Sequence, residues 1–328
     1  MKKAIKGWVT RMTFVGAAVA ALATHADAQE WPQRRVIEII VPSAAGSGPD
    51  ATIRSYSEHL SKNLGQGVVI TNRAGGSGTI AASAAARSDP DGYTFLLASL
   101  SQLIVNKYTI KNLSYDPDKD FQPVALLNRA PYIVLTNPGM PFRTLPDLIA
   151  YNAKNPGKVF LAYEGASAKA ASIYLMRALG INLTMVPYVN PNQAVQDLLA
   201  GNTQLHLQGT ALALPFVKDG RLPALAVTGS ERFPAISTVP AVIETYPQFG
   251  SFEAWVMLLA PRGTPAPIIQ RMSKEIGQIA KLPEIRKLFD NLGIIAAADA
   301  SPEAAVAFLK SQNAQFAKMA ELADLKPE

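Results

Sequence analysis

The sequence contains no cysteine among its 328 residues. This absence excludes disulfide bonds, thiolate metal sites and cysteine nucleophiles. Histidine is also scarce, and only His59 and His206 follow the N-terminal 28 residues. The sequence shows no clustered set of metal-ligand residues and no G-x-S-x-G motif, so we predict neither a metal site nor a serine hydrolase.

Long apolar runs are scarce, and the clearest one lies at the N-terminus. Four basic residues precede an apolar stretch at 13–23, and Ala26-Asp27-Ala28 forms an A-x-A motif. This pattern predicts a secretory signal peptide that is cleaved after Ala28 and directs the protein to the periplasm. An uncleaved anchor is the alternative, but the run is short for a membrane span. Cleavage removes four basic residues and one acidic residue, which lowers the net charge from +6 to +3. This small excess does not indicate a nucleic-acid partner.

From residue 35 onward, short strand-like segments alternate with helical patterns. Such alternation predicts an α/β protein with mainly parallel sheets, whose ligands bind at the carboxyl ends of the strands. Proline and polar residues at 128–131 and at 248–253 bracket a middle block. We therefore predict two lobes, formed by residues 29–129 with 253–328 and by residues 130–252, with a hinge near Ala130 and Phe252.

The segment 35–50 reads as a buried strand, a loop of small residues and a helix that starts near Pro49. Backbone N–H groups in such a loop can approach an anion closely, and the helix N-terminus adds a positive dipole end. The predicted ligand contacts in this loop are Ser43, Ala45, Gly46, Ser47 and Gly48. Asp50 has two open interpretations: a carboxylate that stabilises the first helical turn, or a ligand contact through water or a ligand donor. Ser99, at the end of a later strand, is a further candidate by position.

Two segments imitate a dinucleotide-binding motif. Gly46 to Ala51 and Gly76 to Ala81 both fit G-x-G-x-x-A after a strand. The acidic residue that would bind the ribose about 20 residues later is missing in both cases. An exported NAD-type oxidoreductase therefore remains a distant alternative.

Several short motifs occur together in a fixed order. They are Ile40-Val41-Pro42, Asn72-Arg73-Ala74-Gly75, Pro90-Asp91-Gly92-Tyr93-Thr94, Tyr115-Asp116-Pro117, Asp197-Leu198-Leu199-Ala200-Gly201 and Gly263-Thr264-Pro265. In this order the chain resembles the Bug-type extracytoplasmic solute receptors, which are the substrate-binding components of tripartite tricarboxylate transporters.

This resemblance implies a two-lobed periplasmic-binding-protein fold of type II, with each lobe a mainly parallel sheet flanked by helices and the ligand cleft between the lobes. It implies a monomeric receptor without catalytic residues, metal or cofactor, which captures a small organic carboxylate and delivers it to transporter membrane subunits. A receptor that feeds a two-component sensor is the alternative within the same fold.

The resemblance also assigns site residues in the second lobe. The loop 165–169, with Ser167, Ala168 and Lys169, would face the first loop, and Tyr188 and Gln208 would lie nearby. Lys169 could supply a cation where the family often has a histidine in this loop, but it could equally be a solvated helix residue. Tyr188 could also belong to the core. Gln208 replaces an aspartate that is frequent in the family, which favours a larger or aromatic carboxylate.

Overall fold

The computed structural model describes residues 31–322, 325 and 327. The predicted signal peptide and its cleavage point after Ala28 lie outside these residues. Among the helices in this part of the chain, none combines the length and the apolar character that crossing a membrane requires.

The described residues contain ten strands, which we number in chain order. They are β1 (Ile37–Val41), β2 (Val68–Asn72), β3 (Thr94–Ser99), β4 (Phe121–Thr136), β5 (Phe160–Glu164), β6 (Thr184–Tyr188), β7 (Leu205–Gly209), β8 (Ala224–Val227), β9 (Glu253–Pro261) and β10 (Ile295–Ala296).

Eleven α-helices connect or flank these strands in the described residues. They are α1 (Gly48–Leu64), α2 (Thr79–Ala86), α3 (Asn106–Thr109), α4 (Leu145–Lys154), α5 (Gly165–Leu179), α6 (Pro191–Ala200), α7 (Thr210–Lys218), α8 (Val242–Thr245), α9 (Ala266–Ile279), α10 (Pro283–Leu292) and α11 (Pro302–Leu322). A π-helical turn, Ser101–Val105, leads into α3, and short 3₁₀ turns occupy Gly76–Gly78, Pro234–Ile236 and Pro247–Phe249.

The strands form one path of hydrogen-bonded neighbours in the order β2-β1-β3-β9-β4-β7-β5-β6, with β8 and β10 also paired to β4. The pairs at both ends of this path are parallel, as βαβ connections require. The central strands β4 and β9 run antiparallel to their neighbours. The predicted α/β class is therefore confirmed, and the sheets are less uniformly parallel than the sequence pattern predicted.

The long strand β4 joins the two halves of the path. The sequence predicts two strands here, separated by the segment 128–131, but the backbone stays extended throughout. Pro131 is paired with Glu253 of β9, and the next residue, Tyr132, is paired with Gly209 of β7. The chain thus changes partner strand at Pro131 without leaving the extended conformation.

Apolar packing holds each half together. In the first half, Tyr56 of α1 and Met272 of α9 lie in one buried cluster with Ile39 and Phe95 of the sheet. In the second half, helices α6 and α7 cover the sheet on one face. The C-terminal helix α11 contacts both β4 and α5, so it spans the two halves.

Candidate ligand-binding site

Three helical N-termini lie around one cavity. Helix α1 begins at Gly48, directly after the loop that follows β1, and α5 begins at Gly165, directly after β5. The helical segment that starts at Ser101 follows β3. Each N-terminus presents unsatisfied N–H groups and the positive end of its helix dipole. This region of the molecule is therefore suited to bind an anion.

The cavity has a volume of about 290 Å³ and lies between the two halves of the sheet path. Apolar side chains dominate its walls, and among the lining residues that the structure describes none is a lysine, arginine, histidine, aspartate or glutamate. The lining residues are Gly48, Pro49, Thr52, Ser99, Leu100, Ser101, Asn128, Ala130, Tyr132, Ser167, Ala211, Ala254, Trp255, Val256, Leu292 and Ile294. A ligand carboxylate here would meet hydroxyl groups and helix dipoles rather than a cationic side chain.

The structure places three of the predicted residues on this cavity: Gly48, Ser99 and Ser167. The rest of the first loop lies outside the lining. Ser43 and Ser47 are bonded to each other through their hydroxyl groups, with an oxygen–oxygen distance of 2.6 Å. Ala45 and Gly46 are exposed to solvent. The loop thus reaches the cavity through the first residues of α1.

Asp50 holds the loop instead of lining the cavity. The residue is 1% exposed, and its Oδ2 accepts a hydrogen bond of 2.8 Å from the Gly46 N–H. Arg54 Nε donates to Oδ2 at 2.9 Å, and Asn72 Nδ2 donates to Oδ1 at 2.8 Å. Burial alone would raise the pKa of Asp50, but the hydrogen bonds from Arg54, Gly46 and Asn72 outweigh it and lower the pKa. Arg54 therefore balances the negative charge beneath the anion-binding region.

The remaining predicted residues in the second half lie away from the cavity lining. Ala168 is buried, and Lys169 is exposed, without a hydrogen bond or ion pair to any residue that the structure describes. The Tyr188 hydroxyl donates to Asp197 Oδ2 at 2.7 Å, which fixes it to helix α6. Gln208 is buried in β7, where its Oε1 accepts from the Gly209 N–H at 2.6 Å.

Other lining residues were not predicted as ligand contacts. Tyr132 follows the point where β4 changes partner, and burial together with the nearby Glu164 carboxylate raises the pKa of its phenol to about 12. The phenol is therefore neutral near pH 7 and can donate a hydrogen bond. Trp255 packs edge-on against Phe308, with ring centroids 5.5 Å apart, and it also lines the cavity.

A polar pair forms part of the same wall. Asn128 Nδ2 donates to Thr52 Oγ1 at 3.0 Å, and both residues are buried. Ser101 lies two residues after Ser99, at the start of the helical segment. Its position beyond the carboxyl end of a strand is the one sequence signal that could have identified it.

Glu164 is the residue directly before α5. Its Oε1 lies 2.6 Å from Nε2 of the fully buried His206. Nδ1 of His206 is buried without a partner in the described structure, so a proton on Nδ1 would be unsatisfied. We therefore place a proton on Nε2, from which it is donated to Glu164. This hydrogen bond orients the carboxylate toward β7, and Glu164 does not line the cavity.

Two further observations delimit the site. Within the part of the chain that the structure describes, no group of three or more potential metal ligands occurs. A larger groove of about 820 Å³ lies between the turn Pro234–Ile236 and helices α9 and α10, but none of the predicted site residues lines it. The smaller cavity is the candidate site because the helix N-termini converge there.

Comparison with known proteins identifies the family. Residues 52–322 match the model described as "Tripartite tricarboxylate transporter family receptor". The chain belongs to this family. It is 32% identical over 325 residues to a UPF0065 protein of Bordetella bronchiseptica, covering 98% of this chain and 96% of that protein. It is also 32% identical over 277 residues to Protein BugT of Bordetella pertussis, covering 83% of this chain and 84% of that protein.

Solved structures of similar fold include two with bound carboxylates. Rpa4515 of R. palustris with adipate has a TM-score of 0.76 and 27% identity, covering 91% of this chain and all of that one. MatC of Rhodopseudomonas palustris with bound malate has a TM-score of 0.69 and 28% identity, covering 89% of this chain and 99% of that one. The predicted Bug-type family and periplasmic-binding-protein fold are thus confirmed, and the chain is a periplasmic solute-binding receptor.

Proposed function

We propose that this receptor captures a small organic carboxylate in the cavity of about 290 Å³ and delivers it to transporter membrane subunits, without catalysing a reaction. The observation that carries this proposal is the convergence of three helical N-termini on a cavity with serine hydroxyl groups at its wall. The adipate and malate in the two similar structures support a carboxylate as the ligand class.

Hydrogen bonds at these N-termini can supply the required affinity. A hydrogen bond to a charged group contributes about 1.5–3 kcal/mol, and micromolar binding requires about 8 kcal/mol. Several bonds to one carboxylate, together with apolar burial of the rest of the ligand, therefore suffice. Closing the cleft around the ligand would exclude water and strengthen each of these bonds.

The cavity walls favour a ligand with an apolar body. Trp255, Tyr132 and Leu100 contribute large apolar surfaces, and none of the described lining residues carries a positive charge that could pair with a second carboxylate. We infer that an aromatic or similarly bulky monocarboxylate binds in preference to a short dicarboxylate.

We also propose that the protein is a monomer with two lobes that close on the ligand. The lobes are residues 29–129 with 253–328 and residues 130–252.

Calorimetry tests the ligand class directly. Phenylacetate is expected to bind the purified protein, whereas phenylacetamide, which has a similar shape without the charge, is expected to bind far more weakly. Adipate and malate are expected to bind more weakly than phenylacetate. Equal affinity for the amide and the acid would show that the helix N-termini do not recognise the carboxylate.

A matched pair of substitutions on α5 tests the location of the site. Ser167→Glu places a negative charge on the cavity wall and is expected to abolish carboxylate binding while the melting temperature stays near that of the unmodified protein. Lys169→Gln changes an exposed residue two positions later on the same helix and is expected to keep the affinity within about twofold. A large loss in Lys169→Gln would instead make Lys169 the cation that the sequence allowed.

We further propose that export removes the first 28 residues. The intact mass of the protein isolated from a periplasmic fraction is expected to correspond to a chain that begins at Gln29. A mass that retains the N-terminal segment would contradict cleavage after Ala28.

A further inference from the structure

A second cavity, of about 350 Å³, adjoins the first. The two cavities share Ser101 and Ser167, so they meet where the helical N-termini converge. The second cavity extends from there between the loop 75–78 and the helical segment 101–109. Its lining side chains are mainly polar and include no charged group, in contrast to the apolar first cavity.

Asn106 supplies an acceptor to this second cavity. The residue is 1% exposed, and its Nδ2 donates to the Ser77 carbonyl at 3.2 Å and to the Tyr115 hydroxyl at 3.1 Å. A carbonyl can only accept, and the Tyr115 hydroxyl already donates its proton to the Gln102 carbonyl at 2.7 Å. The NH₂ group must therefore face these two partners, which fixes the orientation of the amide.

This orientation directs Oδ1 of Asn106 away from the network. Among the residues that the structure describes, Oδ1 has no hydrogen-bond donor, and Asn106 lines the cavity. This acceptor, which has no described donor, can bond to a donor that enters the cavity. Thr109, on the same wall, uses its own proton to bond the Val105 carbonyl at 3.2 Å, so its hydroxyl oxygen can likewise accept.

We propose that the second cavity is a subsite for a hydroxyl group of the bound carboxylate. This inference rests on the proposed function, because the carboxylate anchors the ligand at the shared serines. A second carboxylate would face the acceptor Oδ1 of Asn106 without a cation among the lining side chains. An ammonium group would lack an acidic partner there. A neutral hydroxyl group can both donate to Asn106 and accept from other groups.

The junction of the two cavities indicates where the hydroxyl group belongs on the ligand. When the carboxylate is bound at Ser101 and Ser167, one substituent on the adjacent carbon can enter the first cavity and another can enter the second. The apolar substituent would enter the cavity lined by Trp255, and the hydroxyl group would enter the cavity lined by Asn106. The ligand class is therefore a 2-hydroxycarboxylate with a bulky apolar substituent, bound as one enantiomer.

Calorimetry with two matched ligand pairs tests this subsite: phenylacetate with the enantiomers of mandelate, and butyrate with those of 2-hydroxybutyrate. In the pair that binds, one enantiomer of the hydroxy acid is expected to bind about 10-fold more tightly than the unsubstituted acid. Asn106→Leu is expected to reduce this preference to within about twofold.

A second variant covers the case in which Asn106→Leu fails to fold. Thr109→Leu fills the polar cavity without altering the bonds of Asn106 and is expected to remove the same preference. Ala254→Val, on the wall of the apolar cavity alone, is the control and should weaken both acids of a pair equally. If carboxylates bind without preference for the hydroxy acid, the subsite is wrong and the carboxylate receptor stands. If no carboxylate binds, the proposed function itself fails.

Discussion

At the level of single residues, Asp50 shows how an anion-binding region can contain an acid. Four hydrogen bonds from Gly46, Arg54 and Asn72 occupy both carboxylate oxygens. Of the two interpretations that the sequence left open, this geometry favours the structural one. Asp50 fixes the loop that leads into α1 and thereby the position of the first N–H groups of that helix.

Asp50→Asn is expected to destabilise the protein by about 1–3 kcal/mol, because the new NH₂ group would face donors. Asp50 has a pKa below its ordinary value of 3.8, so the stability that its ionised form contributes is complete above that pH and is lost as the pH falls through the folded-state pKa. The difference in the free energy of unfolding between the two proteins should therefore shrink below about pH 4. Urea unfolding at a series of pH values measures this difference.

Asp89→Asn is the control for this experiment, because Asp89 is exposed and makes no hydrogen bond or ion pair to another residue that the structure describes. Its stability should follow that of the unmodified protein at each pH. A difference between Asp50→Asn and the unmodified protein that stays constant from pH 7 down to pH 3 would show that the Asp50 charge does not stabilise the loop.

The candidate site was predictable from the sequence only in part. The strand, the small loop and Pro49 identified the N-terminus of α1. Ser99, a candidate by position, and Ser167, a candidate by family resemblance, both lie on the cavity. Tyr132 and Trp255 were not identified, because an aromatic residue in a strand reads as core until the neighbouring strands are known. Three other predicted residues use their polar groups in hydrogen bonds within the protein. Ser43 bonds to Ser47, Tyr188 to Asp197 of α6, and Gln208 to the Gly209 N–H.

At the level of elements, the loop 75–78 has an unusual backbone conformation and is held in place by neighbouring side chains. Gly75, Gly76, Ser77 and Gly78 all have positive φ angles. The carbonyl of Ser77 accepts from Gln102 Nε2 at 3.1 Å and also from Asn106, so the loop is held against the helical segment that follows β3. Gly76, Ser77 and Gly78 belong to the dinucleotide-like motif in the sequence, and Ser77 and Gly78 line the polar cavity.

Gly78→Ala is expected to destabilise the protein by about 1–3 kcal/mol, since alanine is disfavoured at positive φ and collides with a neighbour. Gly78 has a φ of +84°, and an added Cβ would lie 2.3 Å from Gln102 Nε2. Thermal unfolding measures the loss. Gly209→Ala is the matched control, because an added Cβ there meets no atom within 4 Å and φ is negative. Equal melting temperatures for the two variants would show that Gln102 moves aside freely.

Most helices and strands were predictable from the sequence, because the spacing of apolar residues and the positions of turn residues indicate the same elements along most of the chain. The continuity of β4 was not predictable, because residues 128–131 contain proline and polar side chains that normally interrupt a strand. Pro131 is tolerated because it is the residue at which β4 leaves β9 for β7. Whether such a segment continues a strand depends on its pairing with distant segments, which a single sequence does not show.

At the level of the whole molecule, the two halves of the sheet path are connected by β4, by the chain that enters β9 and by helix α11. Phe252 N–H donates to the Thr228 carbonyl at 2.7 Å, and Thr228 N–H donates to the Tyr132 carbonyl at 2.9 Å. Arg129 and Glu253 form an ion pair of 3.0 Å beside this crossing. We propose that rotation about these connections closes the cavity between the halves.

Closure can be followed by fluorescence energy transfer, because the absence of cysteine permits labelling at introduced positions alone. Ile80 and Val189 are exposed residues that follow β2 and β6, the outermost strands of the path. In the variant with Ile80→Cys and Val189→Cys, a saturating carboxylate is expected to raise the transfer efficiency, because differential contacts favour the closed state. The pair Val36→Cys and Ile80→Cys lies within one half and should show no change. Carboxylate binding that is detected by calorimetry but leaves the first pair unchanged would mean that the cleft binds its ligand without closing.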